Sequence, residues 1–272
     1  MKIMSQDISR WALPDLEQAV AWCRQKNHGR IRYLLHNLLP YATTRAQASG
    51  GLAANLSCLD AIAANRIDAS ISIKLSTLGA GIDRAVCRKH AVSLAEAAAE
   101  REIRLEIDME GKGLLEFTFG TAIALAEAGH SPTIAIQAYF DRSGADLRHL
   151  LAAGIRPRIV KGAYLGDTGD FADIQERFRE LASTTAGYGS AFSAGTHDPD
   201  LIRWLQDRFA KSRDRIEFGF LFGLADATKQ RLAGDGWKVS EYVPFGEAAR
   251  AYTLRRLRYL ENLAAIHRQP AP

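Results

Sequence analysis

The segment RIVKGAY (158–164) sets a cation at each end of two β-branched residues and then strips the chain to Gly162 and Ala163. That combination suits an anionic or electron-rich ligand lying against a strand end, close enough to need glycine. The plainer alternative makes Arg158 a plug at the barrel bottom and Lys161 a solvated strand end. Mostly polar residues close the remaining β-type runs: His36 and Asn37, Lys74, Asp108 and Glu110, Gln137 and Tyr139, Thr196 with His197 and Asp198, and Tyr242, with the apolar Phe222 and Gly223 the exception. One such residue is a solubilising strand end. Delivered by nearly every strand to one rim, they make a site.

Each pair also has a structural reading. Lys74 in SIKLSTLG sits among apolar residues, so its head must be paired or reach water. Asp108 in LEIDME is its natural counter-charge, and a structural ion pair is as reasonable as a functional one. His197 in AGTHDPD is either a site residue or a helix-entry histidine, with Asp198 as the helix cap. Asp108, Glu110, His197 and Asp198 are metal-capable types, but no HxH or HExxH spacing accompanies them, and no metal is expected. Near the end of the chain, Tyr252, Arg255 and Arg256 fall at i, i+3 and i+4, on one side of a helix. Two guanidinium groups beside a tyrosine suit a carboxylate, which arginine holds through paired hydrogen bonds. The alternative is a solvated basic face.

These residues need elements to carry them. Short β-branched runs alternate with amphipathic stretches along the chain, the pattern of βα units. The predicted strands are 31–35, 71–75, 104–109, 133–137, 158–160, 190–196, 216–221 and 239–243. Helical signals lie between them, including SLAEAAAERE (93–102), DPDLIRWLQDRF (198–209) and DATKQRLAG (226–234). A further helix is predicted over 13–25. The pattern predicts a (β/α)8 TIM-type barrel over 29–272, preceded by an N-terminal helical segment at 1–28. A doubly wound sheet is disfavoured because GAGIDR (79–84) and GYGSAF (187–192) lack the third glycine and the strand-to-helix setting of a phosphate loop.

The chain has 272 residues, 47% hydrophobic and 24% charged, with a formal net charge of +4. No dense basic block is interleaved with aromatics, so nucleic-acid binding is not expected. Three cysteines without metal-type spacing argue for buried thiols in a reducing compartment. No signal-peptide core or membrane span is evident, which predicts a cytoplasmic protein, at most peripheral to the inner face of a membrane.

SIKLSTLG, LEIDME, IAIQAY, RIVKGAY, AGTHDP, EFGFLFG and YVPFG–x5–YTLRR together resemble the proline dehydrogenase family, in order and at compatible spacings from about residue 70 onward. The resemblance implies a flavin-dependent barrel that holds FAD without a Rossmann domain. It assigns Arg158 to the flavin N5 edge, Gln137 to the ring, and Lys161, Gly162, Ala163 and Met109 to cofactor contact. Thr196 and His197 would meet its phosphate or ribityl region. Lys74, Arg255 and Arg256 would hold the amino-acid carboxylate, Tyr242 and Tyr252 would enclose the substrate ring, and Asp108 would order Lys74. Asp108 and Arg158 are the implied catalytic residues. The implied reaction is oxidation of L-proline to 1-pyrroline-5-carboxylate, with a quinone-type electron acceptor.

This chain departs from the family pattern in three places. Tyr259 occupies the Glu position of R-R-x-x-E, Gly219 replaces a usual Gln with Phe222 where Tyr or His is common, and FADIQERFRELAS lacks the expected Tyr. Another cyclic amino acid such as hydroxyproline, or a biosynthetic setting, is the alternative with the same chemistry. A Schiff-base aldolase using Lys161 or Lys74 and a non-catalytic flavin-binding barrel are the alternatives with different chemistry.

Overall fold

A computed structural model describes residues 10–26, 30–162 and 166–272. Eight strands form a closed parallel barrel in sequential order: β1 Ile31–Asn37, β2 Ala69–Ile73, β3 Leu105–Ile107, β4 Thr133–Gln137, β5 Arg156–Val160, β6 Phe192–Gly195, β7 Ile216–Leu221 and β8 Lys238–Phe245. Helix α1 (Leu16–Lys26) precedes the barrel. After successive strands come α2 (Arg45–Ala64), α3 (Arg84–Glu100), α4 (Leu115–Glu127), α5 (Ser143–Ala152), α6 (Phe171–Gly187), α7 (Pro199–Arg208), α8 (Asp226–Gly234) and α9 (Ala249–Ala265). The fold is the predicted TIM-type barrel. The predicted domain boundary between residues 28 and 29 lies outside the described residues.

Local signals fix several helix starts. Thr44 and Gln47 form a capping box at α2. Asp83 accepts from Ala85 N and Val86 N, and Asp198 accepts from Asp200 N with Pro199 in the first turn. The strand predictions shift by a few residues for identifiable reasons. Lys74 leaves the ladder to cap the short 3₁₀ turn Leu75–Leu78, so β2 ends earlier than predicted. Pro157 and Pro244 sit inside β5 and β8, although proline cannot donate to a ladder.

The strands alternate in an informative way. Outward residues such as Ile71, Ile107, Ile134, Ile159, Phe218 and Val239 are buried between sheet and helices. Ion pairs link strands that are not neighbours, Arg156 to Glu217 (β5 to β7) and Arg158 to Glu106 (β5 to β3), so these side chains cross the interior. At the lower end Glu217, 2% exposed, meets Arg104 at 3.1 Å, Arg156 at 3.4 Å and Arg32 at 3.9 Å, and accepts from Ser193 Oγ at 3.2 Å. These arginines hold the Glu217 carboxyl at about 2 against the upward push of burial. The interior is therefore an ionic plug in place of the usual layers of branched apolar residues.

The barrel seam joins β1 to β8 in register from Ile31↔Val239 to Asn37↔Phe245. The N-terminal segment extends it: Leu13 N donates to Pro244 O, and Gly246 N donates to Leu13 O. All three cysteines, Cys23, Cys58 and Cys87, are free and buried. No helix among the described residues is long and apolar enough to cross a membrane.

Candidate active site

A cavity of about 660 Å³ opens at the carboxyl ends of the strands, under α9. Its wall includes Lys74 from the end of β2, Asp108 and Met109 after β3, Gln137 from β4, and Arg158, Lys161 and Gly162 from β5 and the turn after it. Thr196 and His197 follow β6, Tyr242 comes from β8, and Tyr252, Arg255 and Arg256 descend from α9. Tyr139, Gly219 and Tyr259 line it too, so sixteen of the residues singled out in the sequence share one cavity. Ala163 lies outside the described residues.

Asp108 organises one half of the cavity. Its carboxylate accepts from Arg158 Nη2 at 3.2 Å and from Tyr242 Oη at 3.3 Å, and stands 3.9 Å from Lys74 Nζ. Arg158 is therefore a closer partner than Lys74, the counter-charge expected from sequence. Burial would raise the Asp108 pKa, but Arg158 and then Lys74 hold it below the usual carboxylate range. Burial lowers the Lys74 pKa, with Asp108 opposing the fall. Arg158 neither closes the barrel bottom nor reaches solvent; it is 8% exposed, its guanidinium 5.6 Å from the Tyr242 ring.

The rings above Asp108 are stacked. His36 lies 5.4 Å from Tyr242, which lies 6.4 Å from Tyr252 with planes 13° apart, and Arg256 covers the Tyr252 ring at 5.0 Å. Tyr252 Oη and Arg256 Nε are buried and have no hydrogen-bond partner among the described residues. Buried polar groups are normally satisfied, so these two are poised for an absent partner.

The other half is set by different contacts. Lys161 is no solvated strand end: it lies 3.1 Å from Asp198 and 3.5 Å from the Phe171 ring centre. Asp198 also accepts from Gln175 Nε2 at 2.7 Å while capping α7. Thr196 Oγ1 accepts from Asp198 N at 3.1 Å. His197 Nε2 accepts from Leu221 N at 3.0 Å, which leaves the ring proton on Nδ1. Burial, then Arg256, push its pKa down to about 3, so the ring is neutral. Gly162 has φ +128°, and a Cβ there would strike the Tyr139 ring. Tyr139 thus requires a glycine here whether or not a ligand does.

Several predicted rim residues stand behind the wall. Glu110 accepts from Ser76 N at 3.0 Å and from Ser76 Oγ. His36 Nδ1 donates to Ser72 O at 2.9 Å, Phe222 packs edge-on against Trp22 at 5.0 Å, and Gly223 closely approaches the Arg10 carbonyl. No group of three His, Cys, Asp or Glu side chains among the described residues is arranged to hold a metal. The sequence reading missed Glu106, which lies on the cavity floor, and Asn262 and Arg258, which extend the α9 wall. Glu106 was detectable, because residues i and i+2 of a strand share a face and Asp108 had already been selected.

A (β/α)8 barrel with an ionic interior and a cation-rich cavity under its last helix defines a class of small-molecule barrel proteins. Comparison with known proteins narrows it. The proline dehydrogenase family model matches residues 19–177. Proline dehydrogenase of Deinococcus radiodurans is 30% identical over 224 residues, 76% of this chain and 71% of that protein. Proline dehydrogenase 1 of Bacillus subtilis subsp. natto is 24% identical, covering 89% of this chain and 82% of that protein. Among solved structures, proline utilization A of Bdellovibrio bacteriovorus superposes with a TM-score of 0.85 at 16% identity, over 93% of this chain and 32% of that one. That of Bradyrhizobium japonicum gives 0.78 at 22% identity, over 92% and 30%. The chain spans about a third of the length of those two structures, which show likeness of fold. This chain belongs to the proline dehydrogenase family.

Proposed function

We propose that the protein is an FAD-dependent proline dehydrogenase that oxidises L-proline to 1-pyrroline-5-carboxylate. The observation that carries this reading is the set of unsatisfied polar atoms under α9, Tyr252 Oη and Arg256 Nε, beside Arg255 and Lys74 in one cavity. A carboxylate placed there gains charge-assisted hydrogen bonds from groups that otherwise lack them. The stacked Tyr242 and Tyr252 rings offer an apolar wall for a five-membered ring.

The residues present fit a flavin. The cavity volume suits a cofactor site, and Met109, Gln137, Arg158, Lys161, Gly162, Thr196 and His197 line it together. When bound, a flavin would supply a two-electron acceptor for oxidation of the carbon next to the ring nitrogen. The protein's part is orientation and charge. Lys74, Arg255 and Arg256 fix the carboxylate, and Asp108 holds Lys74 and Arg158 in place. The Arg158 cation stabilises negative charge as it develops. His197, neutral with Nδ1–H free to donate, offers a hydrogen bond without a charge. A quinone-type acceptor would reoxidise the cofactor.

A Schiff-base reading needs an unpaired lysine, whereas Lys161 is paired with Asp198 and Lys74 faces Asp108. The test is anaerobic. Purified protein should be yellow and should bleach on addition of L-proline, faster than with hydroxyproline. Colourless protein that cannot bind added FAD would refute the assignment, and yellow protein that no cyclic amino acid bleaches would reduce it to a flavin-binding scaffold.

A further inference from the structure

Glu106 and Asp108 occupy alternate positions around β3 and both face the interior, with Arg158 reaching between them from β5. Arg158 Nη2 is 3.2 Å from Asp108 Oδ1, and Arg158 Nε is 3.4 Å from Glu106 Oε2. Glu106 is 1% exposed and lies on the cavity floor. Its other oxygen accepts from Ser70 Oγ at 3.3 Å and lies 3.6 Å from Arg104 Nε. Of the cavity's cations, Lys74 and Arg158 face the carboxylates directly: Asp108 lies beside both, and Glu106 beside Arg158. Without Glu106 the two share Asp108. Burial works against the Arg158 charge, but Glu106 first and Asp108 second keep its pKa above the ordinary value.

We propose that Glu106 is a positioning residue for Arg158, fixing the guanidinium from below and attenuating the positive field it presents to the flavin edge. A reduced flavin ring carries more negative charge than an oxidised one, so an unscreened cation nearby favours reduction. A carboxylate behind that cation moderates the preference and keeps the reduced cofactor able to pass its electrons on. The barrel thus carries a layered device: an ionic plug at the floor, Glu106 above it, Arg158 at the level of the chemistry and Asp108 at the substrate.

The inference rests on the flavin reading, and its test separates the two. Anaerobic redox titration of bound flavin is followed by absorbance in the parent, Glu106→Gln, Arg158→Met and the double variant. Glutamine keeps the shape and the contact to Ser70 while removing the charge. Glu106→Gln should shift the equilibrium toward reduced flavin about tenfold, because the Arg158 guanidinium, released from the carboxylate 3.4 Å from its Nε, is no longer held back and presents its unit charge more closely to the flavin edge. For a two-electron couple that is ~30 mV upward. In the Arg158→Met background the same substitution should shift the potential by less than a third of that, because Glu106 acts through Arg158. An unchanged potential in Glu106→Gln, or an equal shift in both backgrounds, overturns the proposal. If Glu106→Gln does not fold, Glu106→Asp draws the carboxylate back by one methylene and should raise the potential in the same direction; no shift there is equally fatal. A parent protein that cannot bind flavin sinks both readings, whereas a parent bleached by proline with a Glu106→Gln variant of unchanged potential sinks only this one.

Discussion

Glu217 offers a prediction whose size follows from the ionic plug. Its carboxyl, ordinarily near 4.5, is held at about 2 by Arg104, Arg156 and Arg32 despite burial. A depressed acid adds stability that is present above its unfolded pKa and disappears as pH falls through the folded value. The 2.5-unit difference is worth on the order of 3 kcal/mol, nearly all of it lost between about pH 4.5 and pH 2. Other carboxylates titrate in the same window, so the informative quantity is a difference. Urea unfolding of the parent and of Glu217→Gln is compared at several pH values from 2 to 7. At neutral pH the variant should be less stable by about 3–5 kcal/mol, the cost of leaving buried cations without their anion. That gap should shrink by ~3 kcal/mol on going to pH 2, where the parent's Glu217 approaches neutrality. A gap that stays constant across the range would refute the reasoning, since the carboxylate would then contribute by shape alone.

Other expectations concern the chemistry. Arg158→Ala should lower turnover with proline roughly 10²–10³-fold while the barrel stays folded, the usual effect of removing one electrostatic contact at developing charge; stopped-flow flavin reduction gives the number. Arg255→Met and Arg256→Met should each weaken binding of a non-oxidisable five-membered-ring carboxylate by about 2–5 kcal/mol with flavin content near that of the parent. Because burial lowers the Lys74 pKa, affinity for that same amine-free carboxylate should fall as pH rises through a value below 10.5, and Lys74→Met should abolish the dependence. Tyr259 lies 6.4 Å from the His197 ring and lines the cavity; Tyr259→Glu should lower the KM for proline or sharpen discrimination against hydroxyproline, and unmoved constants would make it a packing residue.

The barrel and most of its cavity wall could be read from the sequence because strand ends at one rim converge whatever the details. What the strand end does not reveal is which way a side chain points. Glu110 and Phe222 stand at strand ends yet face away from the cavity, toward Ser76 and Trp22, and His36 lies inside but beneath the Tyr242 ring. Glu106 was hidden for the opposite reason: a carboxylate in the middle of a strand looks misplaced unless the interior is ionic. That interior depends on pairings between residues far apart in sequence, such as Arg104 with Glu217, which no local pattern encodes. Gly162 was noticed for a sound reason, but its second constraint, the contact with Tyr139 that crosses from β5 to the turn after β4, was not legible.

The seam between β1 and β8 has a consequence for how the protein is made. Residues 31–37 find their second ladder partner only in residues 239–245, and Leu13 waits for Pro244 and Gly246. About 200 residues must be synthesised in between, which at ordinary ribosomal speed takes roughly 10–40 s. Throughout that interval the nascent sheet has two open edges, the kind of surface that pairs with the wrong chain. The carboxylate clamp sits on α9, beyond the last strand, so the cavity can close around a ligand only after nearly the whole polypeptide has emerged. On the proposed flavin reading, cofactor loading is a late event in the life of each molecule, and cells that overproduce this chain should accumulate aggregated apoprotein before they run short of flavin.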